Sequence, residues 1–294
     1  MPLPFISTTP TDEKEGGVIF DKGYAYLLSP PAPGLSSPDL VSLAEVRRKG
    51  LFNALGGGVD GGELMLRVED QIGKLLGQLH ANVQNEFFGM PGVDDSNGQD
   101  GFSWQETFVR LLEGILEDFE GKEKGGDDDV VGKIPFTRIR QSLSKAIGSF
   151  LFSDVEVPSL VWCTGSEEDI YVVDPSSASA RAILAQSQST IAALLPNLTH
   201  ALWGDPLMET FFLPPNPSKA VKEGYELASG RGEGNWLIQF GRQKTKRLWY
   251  TLYLALIVLR ERRGGADEVS KEKKKWALDI IEQTVDFLKD APTN

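Results

Sequence analysis

Trp203-Gly204-Asp205-Pro206-Leu207-Met208-Glu209 is the stretch on which the reading of this chain turns. An aspartate directly before a proline has a strong local meaning. Its carboxylate accepts hydrogen bonds from the free amides of a helix's first turn, and proline, with a fixed φ and no amide to satisfy, suits the first helical position. The spacing predicts a helix from about Asp205 to Phe212 with Asp205 as its cap, a structural role that outweighs catalysis for this carboxylate.

Helical patterns continue downstream at about Ser218 to Ala228, Gln243 to Arg263 and Ser270 to Lys289. Upstream, Ser159-Leu160-Val161-Trp162 and Ile170-Tyr171-Val172-Val173 read as short strands flanking a polar turn, the place where chemistry would sit. Before them, a helix spans Phe136 to Phe152. Another starts at Ser103 and carries Phe108, Leu111, Leu112, Ile115, Leu116 and Phe119 at helical spacing. An amphipathic helix holds Leu64, Val68, Ile72, Leu75, Leu76 and Leu79, and Ser37-Pro38 is expected to open a helix ending near Leu55. Val18-Ile19-Phe20 and Tyr24 to Leu28 read as two short strands, and Gly56 to Gly62 reads as a mobile loop at the rim of a pocket. Few strands among many helices predict an α+β class, predominantly helical.

The charge balance excludes some partners. With 42 acidic and 30 basic side chains the net charge is -12, which repels nucleic-acid backbones and anionic membranes at long range. The most apolar run, Leu248 to Leu259, is far shorter than the roughly 20 residues a membrane helix needs and reads as a buried core helix. One cysteine, Cys163, leaves no internal disulfide to form, and no secretory leader is evident, so a cytoplasmic location is expected.

Several segments, in order, carry a resemblance. Tyr26-Leu27-Leu28 with Pro33-Gly34, then Ile72 to His80, then Ser103-Trp104-Gln105-Glu106-Thr107-Phe108, then Trp203 to Glu209, then Arg242 to Tyr253, are similar to stretches of the aminoglycoside phosphotransferase and choline kinase superfamily, its fungal members above all. The resemblance covers about Tyr24 to Arg260 and implies a protein-kinase-like C-terminal lobe over residues 35–294, with residues 1–34 a remnant of the nucleotide lobe and hinge. It also shows departures. The family's lobe that carries the phosphate-gripping lysine would need far more chain than precedes Tyr26. Its catalytic loop falls on Trp162-Cys163-Thr164-Gly165-Ser166-Glu167-Glu168-Asp169, so the catalytic base position holds Thr164. Its later metal-binding aspartate falls on Asn197.

Phosphoryl transfer depends on positioning and charge neutralisation, so a chain lacking these groups is a poor kinase. The expectation is a pocket that binds a small organic molecule, with or without non-phosphoryl chemistry such as cyclisation or dehydration. A role in fungal specialised metabolism follows from the association alone. His200, Asp169 and Thr164 are the catalytic candidates, and Trp162, Trp203, Arg242 and Lys244 the pocket candidates. No cofactor is required. In the rival reading of an atypical phosphotransferase, Asp169 and Asn197 hold magnesium with ATP; in a third, a pseudokinase scaffold meets a basic partner through Asp95 to Asp100 and Glu120 to Asp129. An acceptor lobe without its strands implies either a homodimer or a re-covered face.

The same residues have structural roles open to them. His80 fixes the catalytic-loop region by hydrogen bonding, and Cys163 is an inert buried thiol. Trp104, Trp162, Trp203 and Trp236 are core aromatics. Arg242, Lys244, Lys246 and Arg247, at a helix start where cations oppose the dipole, imply an acidic neighbour within the chain.

Overall fold

The computed structural model describes residues 5–6, 27–28, 40–54, 61–91, 101–121, 128–174, 191–194, 196–215, 217–230 and 241–292. The expected strand at Val18 to Phe20, the Ser37-Pro38 helix start, most of the Gly56 to Gly62 loop, the acidic loops and Trp236 lie wholly or mostly outside them.

Among the described residues the class is α+β with helices dominating. The strands are β1 (Phe5–Ile6), β2 (Leu27–Leu28), β3 (Leu40–Ser42), β4 (Ser159–Val161), β5 (Ile170–Val173), β6 (Ile191–Leu194) and β7 (Leu202–Gly204). The helices are α1 (Leu43–Lys49), α2 (Gly61–Asn82), α3 (Trp104–Glu120), α4 (Asp128–Val131), α5 (Phe136–Gly148), α6 (Lys219–Ser229), α7 (Gly241–Glu261) and α8 (Glu268–Asp290). The sheets are small and antiparallel: β1 with β2, β3-β5-β6, and β4 with β7.

Local capping sets several helix starts. Ser103 accepts from the Glu106 amide, Ser218 from Val221, and Asp267 from Ser270. Elsewhere tertiary pairing overrides the local pattern. The helix expected from Ser37-Pro38 instead starts at Leu43 with Ser42 as cap, because Leu40 and Val41 pair with Val173 and Val172 of β5. It ends at Gly50, whose φ of 62° glycine adopts without strain. The helix expected to reach Phe152 stops at Gly148, where Phe150 takes a φ of 54° and turns Leu151 and Phe152 into the core. The expected Asp205 to Phe212 helix is two 3-10 turns, Pro206–Met208 and Thr210–Phe212, separated by Glu209 with extended backbone (ψ 130°). β4 and β5 belong to different sheets.

Two apolar cores result. The larger lies among α3, α5, α7 and α8, where Phe108 stacks 4.8 Å from Phe152 and edge-on to Tyr250 at 5.2 Å between centroids. The smaller lies under α2, α6 and the β3-β5-β6 sheet and takes in Leu64, Val68, Ile72 and Leu76, each stabilising the fold by about 1.5–3 kcal/mol on burial. α2 and α6 meet backbone to backbone. A Cβ on Gly73 would run into the Val221 carbonyl, and one on Gly224 into the Asp70 carbonyl. No helix among the described residues is long and apolar enough to cross a membrane.

Candidate functional site

The chain leaves β4 at the junction of the two cores: Trp162 packs in the smaller and Cys163, its neighbour, in the larger. Cys163 takes a φ of 64°, and the Thr164 amide donates to the Trp162 carbonyl at 2.8 Å, so the chain reverses here. The loop is clamped from below. Glu209 Oε1 accepts from the Trp162 backbone N–H at 2.8 Å and lies 3.3 Å from His80 Nε2, while His80 Nδ1 is 3.0 Å from the Tyr225 hydroxyl. Gly165 lies so close to the Trp162 indole that an added Cβ would sit 2.6 Å from its ring, and the Thr210 hydroxyl donates to the Gly165 carbonyl. On the far side Ser166 caps the short 3-10 turn Glu167–Asp169, and its amide and hydroxyl donate to Asp169 Oδ2 at 3.0 and 2.8 Å. Ser42 and Arg47 of the α1 region hold Glu168 and Glu167 at 3.1 and 2.7 Å.

Of the sequence candidates, Trp162, Thr164, Asp169 and Asn197 gather around this loop. The Trp162 indole N–H donates to the Asn197 carbonyl at 3.0 Å. The Asn197 side-chain oxygen accepts from the Thr199 amide and hydroxyl at 3.1 and 2.6 Å. Thr164 buries its hydroxyl without a hydrogen-bond partner, as does Glu209 its second carboxylate oxygen, Oε2. His200 is turned elsewhere: its Nε2 is 2.6 Å from Glu261 at the end of α7. Burial, and then the Glu209 charge, push the Cys163 thiol well above its ordinary range, which makes it a poor nucleophile at neutral pH.

Asp169 Oδ2 closes a capping box, and the Asn197 side-chain oxygen accepts two hydrogen bonds. No group of three or more His, Cys, Asp or Glu side chains among the described residues is arranged to hold a metal ion.

The other pocket candidates are dispersed. Trp203 sits half-buried in β7, opposite Leu160, with its backbone paired to Gly89. Arg242 donates to the Phe150 and Leu151 carbonyls, taking up acceptors left where α5 ends, and Lys244 is exposed. The acidic neighbour expected beside this basic run is internal. Lys246, 3% exposed, holds Asp205 at 2.9 Å and Asp154 at 3.0 Å, and the Tyr250 hydroxyl donates to Asp205 at 2.7 Å while accepting from the Trp104 indole at 2.8 Å. Asp205 also caps the 3-10 turn, accepting from the Leu207 amide at 3.0 Å. Burial drags the Lys246 pKa down, but Asp205 and Asp154 outweigh it and the net shift is upward. Burial alone brings Arg247, whose Nε donates to the Phe212 carbonyl at 2.6 Å, down to about 10.

Lys246 and Tyr250 stand four residues apart on one face of α7, a spacing that places both beside a single partner. Glu209, Tyr225 and Asp154 carry no such signal in the sequence. Comparison with known proteins returns no matching family model, curated protein or solved structure.

Proposed function

We propose that this protein is a kinase-like helical lobe of the aminoglycoside-phosphotransferase type that has left phosphoryl transfer and binds a small organic molecule in the cleft at the Trp162–Asp169 loop. The observation that supports this is how the segments carrying the resemblance interlock. His80, at the end of the α2 stretch, meets Glu209 of the Trp-Gly-Asp-Pro stretch. Trp104 packs beside Gly204 and donates to Tyr250, and Asp205 is held by Lys246. Stretches far apart in the chain converge beneath the loop laid over the family's catalytic position. That position holds Thr164, whose hydroxyl donates and accepts hydrogen bonds but is no base at neutral pH.

A buried hydroxyl without a partner leaves hydrogen-bonding capacity unused, at a cost of about 1–3 kcal/mol in stability. A ligand with a carbonyl or hydroxyl group on an apolar body would satisfy it. The test is a thermal-shift screen of oxygenated aromatic and terpenoid metabolites, followed by titration of the best compound into the wild type and Thr164→Val. The expected result is a hit whose affinity falls about tenfold in the variant, while the ligand-free variant melts no lower than the wild type. A screen without hits, or a hit that binds Thr164→Val and wild type equally, contradicts the proposal.

A further inference from the structure

Although the chain carries a net charge of -12, one face of it is cationic. Two adjoining grooves between α5 and α8, of about 550 and 610 Å³, share Arg138 as a common wall. Seven cationic side chains line them against two carboxylates, Asp279 and Glu282. Lys271, Lys274 and Lys275 stand on the α8 wall at i, i+3 and i+4, and Lys133 and Lys145 stand opposite. Asp286, paired with Arg138, and Glu268, 3.4 Å from Lys271, reduce that excess, and Lys133 and Lys274 also have partners; among the described lining side chains the cations still outnumber the carboxylates. Such exposed pairs stabilise by no more than about 1 kcal/mol and are readily exchanged for another anion. The floor is apolar, formed by Val130, Pro135, Leu278 and Val285.

From Lys271 to Lys289 the wall runs about 27 Å at 1.5 Å per helical residue, room for roughly eight residues of extended peptide.

We propose that the α5–α8 groove is a docking site for an acidic segment of a partner protein whose apolar side chains pack on the groove floor. Peptide fits better than the other polyanions. The surface is concave with an apolar floor, which a flat lipid headgroup layer would leave empty. Among the described residues no aromatic lines the grooves to stack a nucleobase, and the net charge of -12 opposes a long phosphate chain. The proposal does not rest on the reading of the Trp162 loop.

The experiment is selection of random 14-residue peptides displayed on phage against the immobilised full-length chain, with affinities of the enriched peptides measured by fluorescence anisotropy. Enriched peptides should be acidic with interspersed apolar residues. Their affinity should fall at least about tenfold when either wall is reversed, by Lys271→Glu with Lys275→Glu or by Lys133→Glu with Lys145→Glu, and stay unchanged in Lys219→Glu on remote α6. The two walls are independent variants, so misfolding of one would not imitate the result in the other. Three outcomes overturn the proposal: no enrichment, enriched peptides indifferent to both reversals, or tighter binding at this groove by polyphosphate, an RNA oligonucleotide or phosphatidylserine vesicles.

Discussion

Glu209 Oε1 holds the backbone N–H of Trp162 at 2.8 Å, so a carboxylate from the Trp-Gly-Asp-Pro stretch fixes the loop over the candidate cleft. Both residues are buried, and the same oxygen lies 3.3 Å from His80 Nε2. Glu209→Ala leaves the Trp162 amide and the His80 ring without this acceptor and should cost about 1–3 kcal/mol. Amide hydrogen exchange at Trp162 should then accelerate by about tenfold or more, while amides in the middle of α7 keep their protection relative to the global stability. Unchanged exchange at Trp162 would remove Glu209 from this role.

Lys246 is the linchpin of the larger core's polar chain. Lys246→Met leaves Asp205 buried beside an apolar side chain and should destabilise the protein by about 3 kcal/mol or more in urea denaturation. Asp154 is a third exposed, so Asp154→Asn should change stability by less than about 1 kcal/mol. Comparable losses in the two variants would show that burial does not set the energetics here.

The backbone contact between α2 and α6 makes the opposite prediction from helix propensity. Gly73→Ala would gain nearly 1 kcal/mol in an isolated helix. Here the new methyl meets the Val221 carbonyl, which cannot move without displacing α6, so the net effect should be destabilisation of about 1–3 kcal/mol. Gly114, with open space around it on α3, is the control, and Gly114→Ala should stabilise.

Stability should fall on the alkaline side. Burial pushes Cys163, Tyr250 and Tyr253 upward, and the carboxylates around Lys246 raise it too. Each keeps its proton in the fold at a pH where the unfolded chain has released it. The contribution is therefore whole below the unfolded values, about 8.5 for cysteine and about 10 for tyrosine and lysine, and is lost as pH rises past them. The melting temperature should be level from about pH 7 to 8 and decline above about 9. Cys163→Ala should flatten the first part of that decline, and an unaltered slope would count against the buried thiol as its source.

The parts of the fold legible in the sequence are those decided within a few residues. Ser103 and Ser218 mark helix starts because a cap and its amide are three positions apart, and the α2 stripe from Leu64 to Leu76 repeats on one helical face. Asp205 before Pro206 announced a cap for the same reason, but the long helix expected after it was broken by a demand from afar. Glu209 leaves helical geometry to reach partners 47 and 129 positions away, Trp162 and His80. Likewise Leu40 and Val41 are a strand only because β5 stands beside them. At the site, Trp162, Thr164 and Asn197 lie around one loop. His200 does not, since its ring is drawn to Glu261 on α7, a partner that local spacing cannot reveal.

Thermal melting of the purified chain with and without magnesium-ATP separates an organic-molecule pocket from a phosphotransferase site. A ligand present at 100 times its dissociation constant stabilises the folded state by about 2.7 kcal/mol, a plainly visible shift in midpoint. With Asp169 Oδ2 holding the Ser166 amide and hydroxyl, and Thr164 carrying no carboxylate, the expected result is no shift at millimolar nucleotide. A clear shift that disappears in Asp169→Ala would contradict the account and restore the loop as a phosphotransferase site.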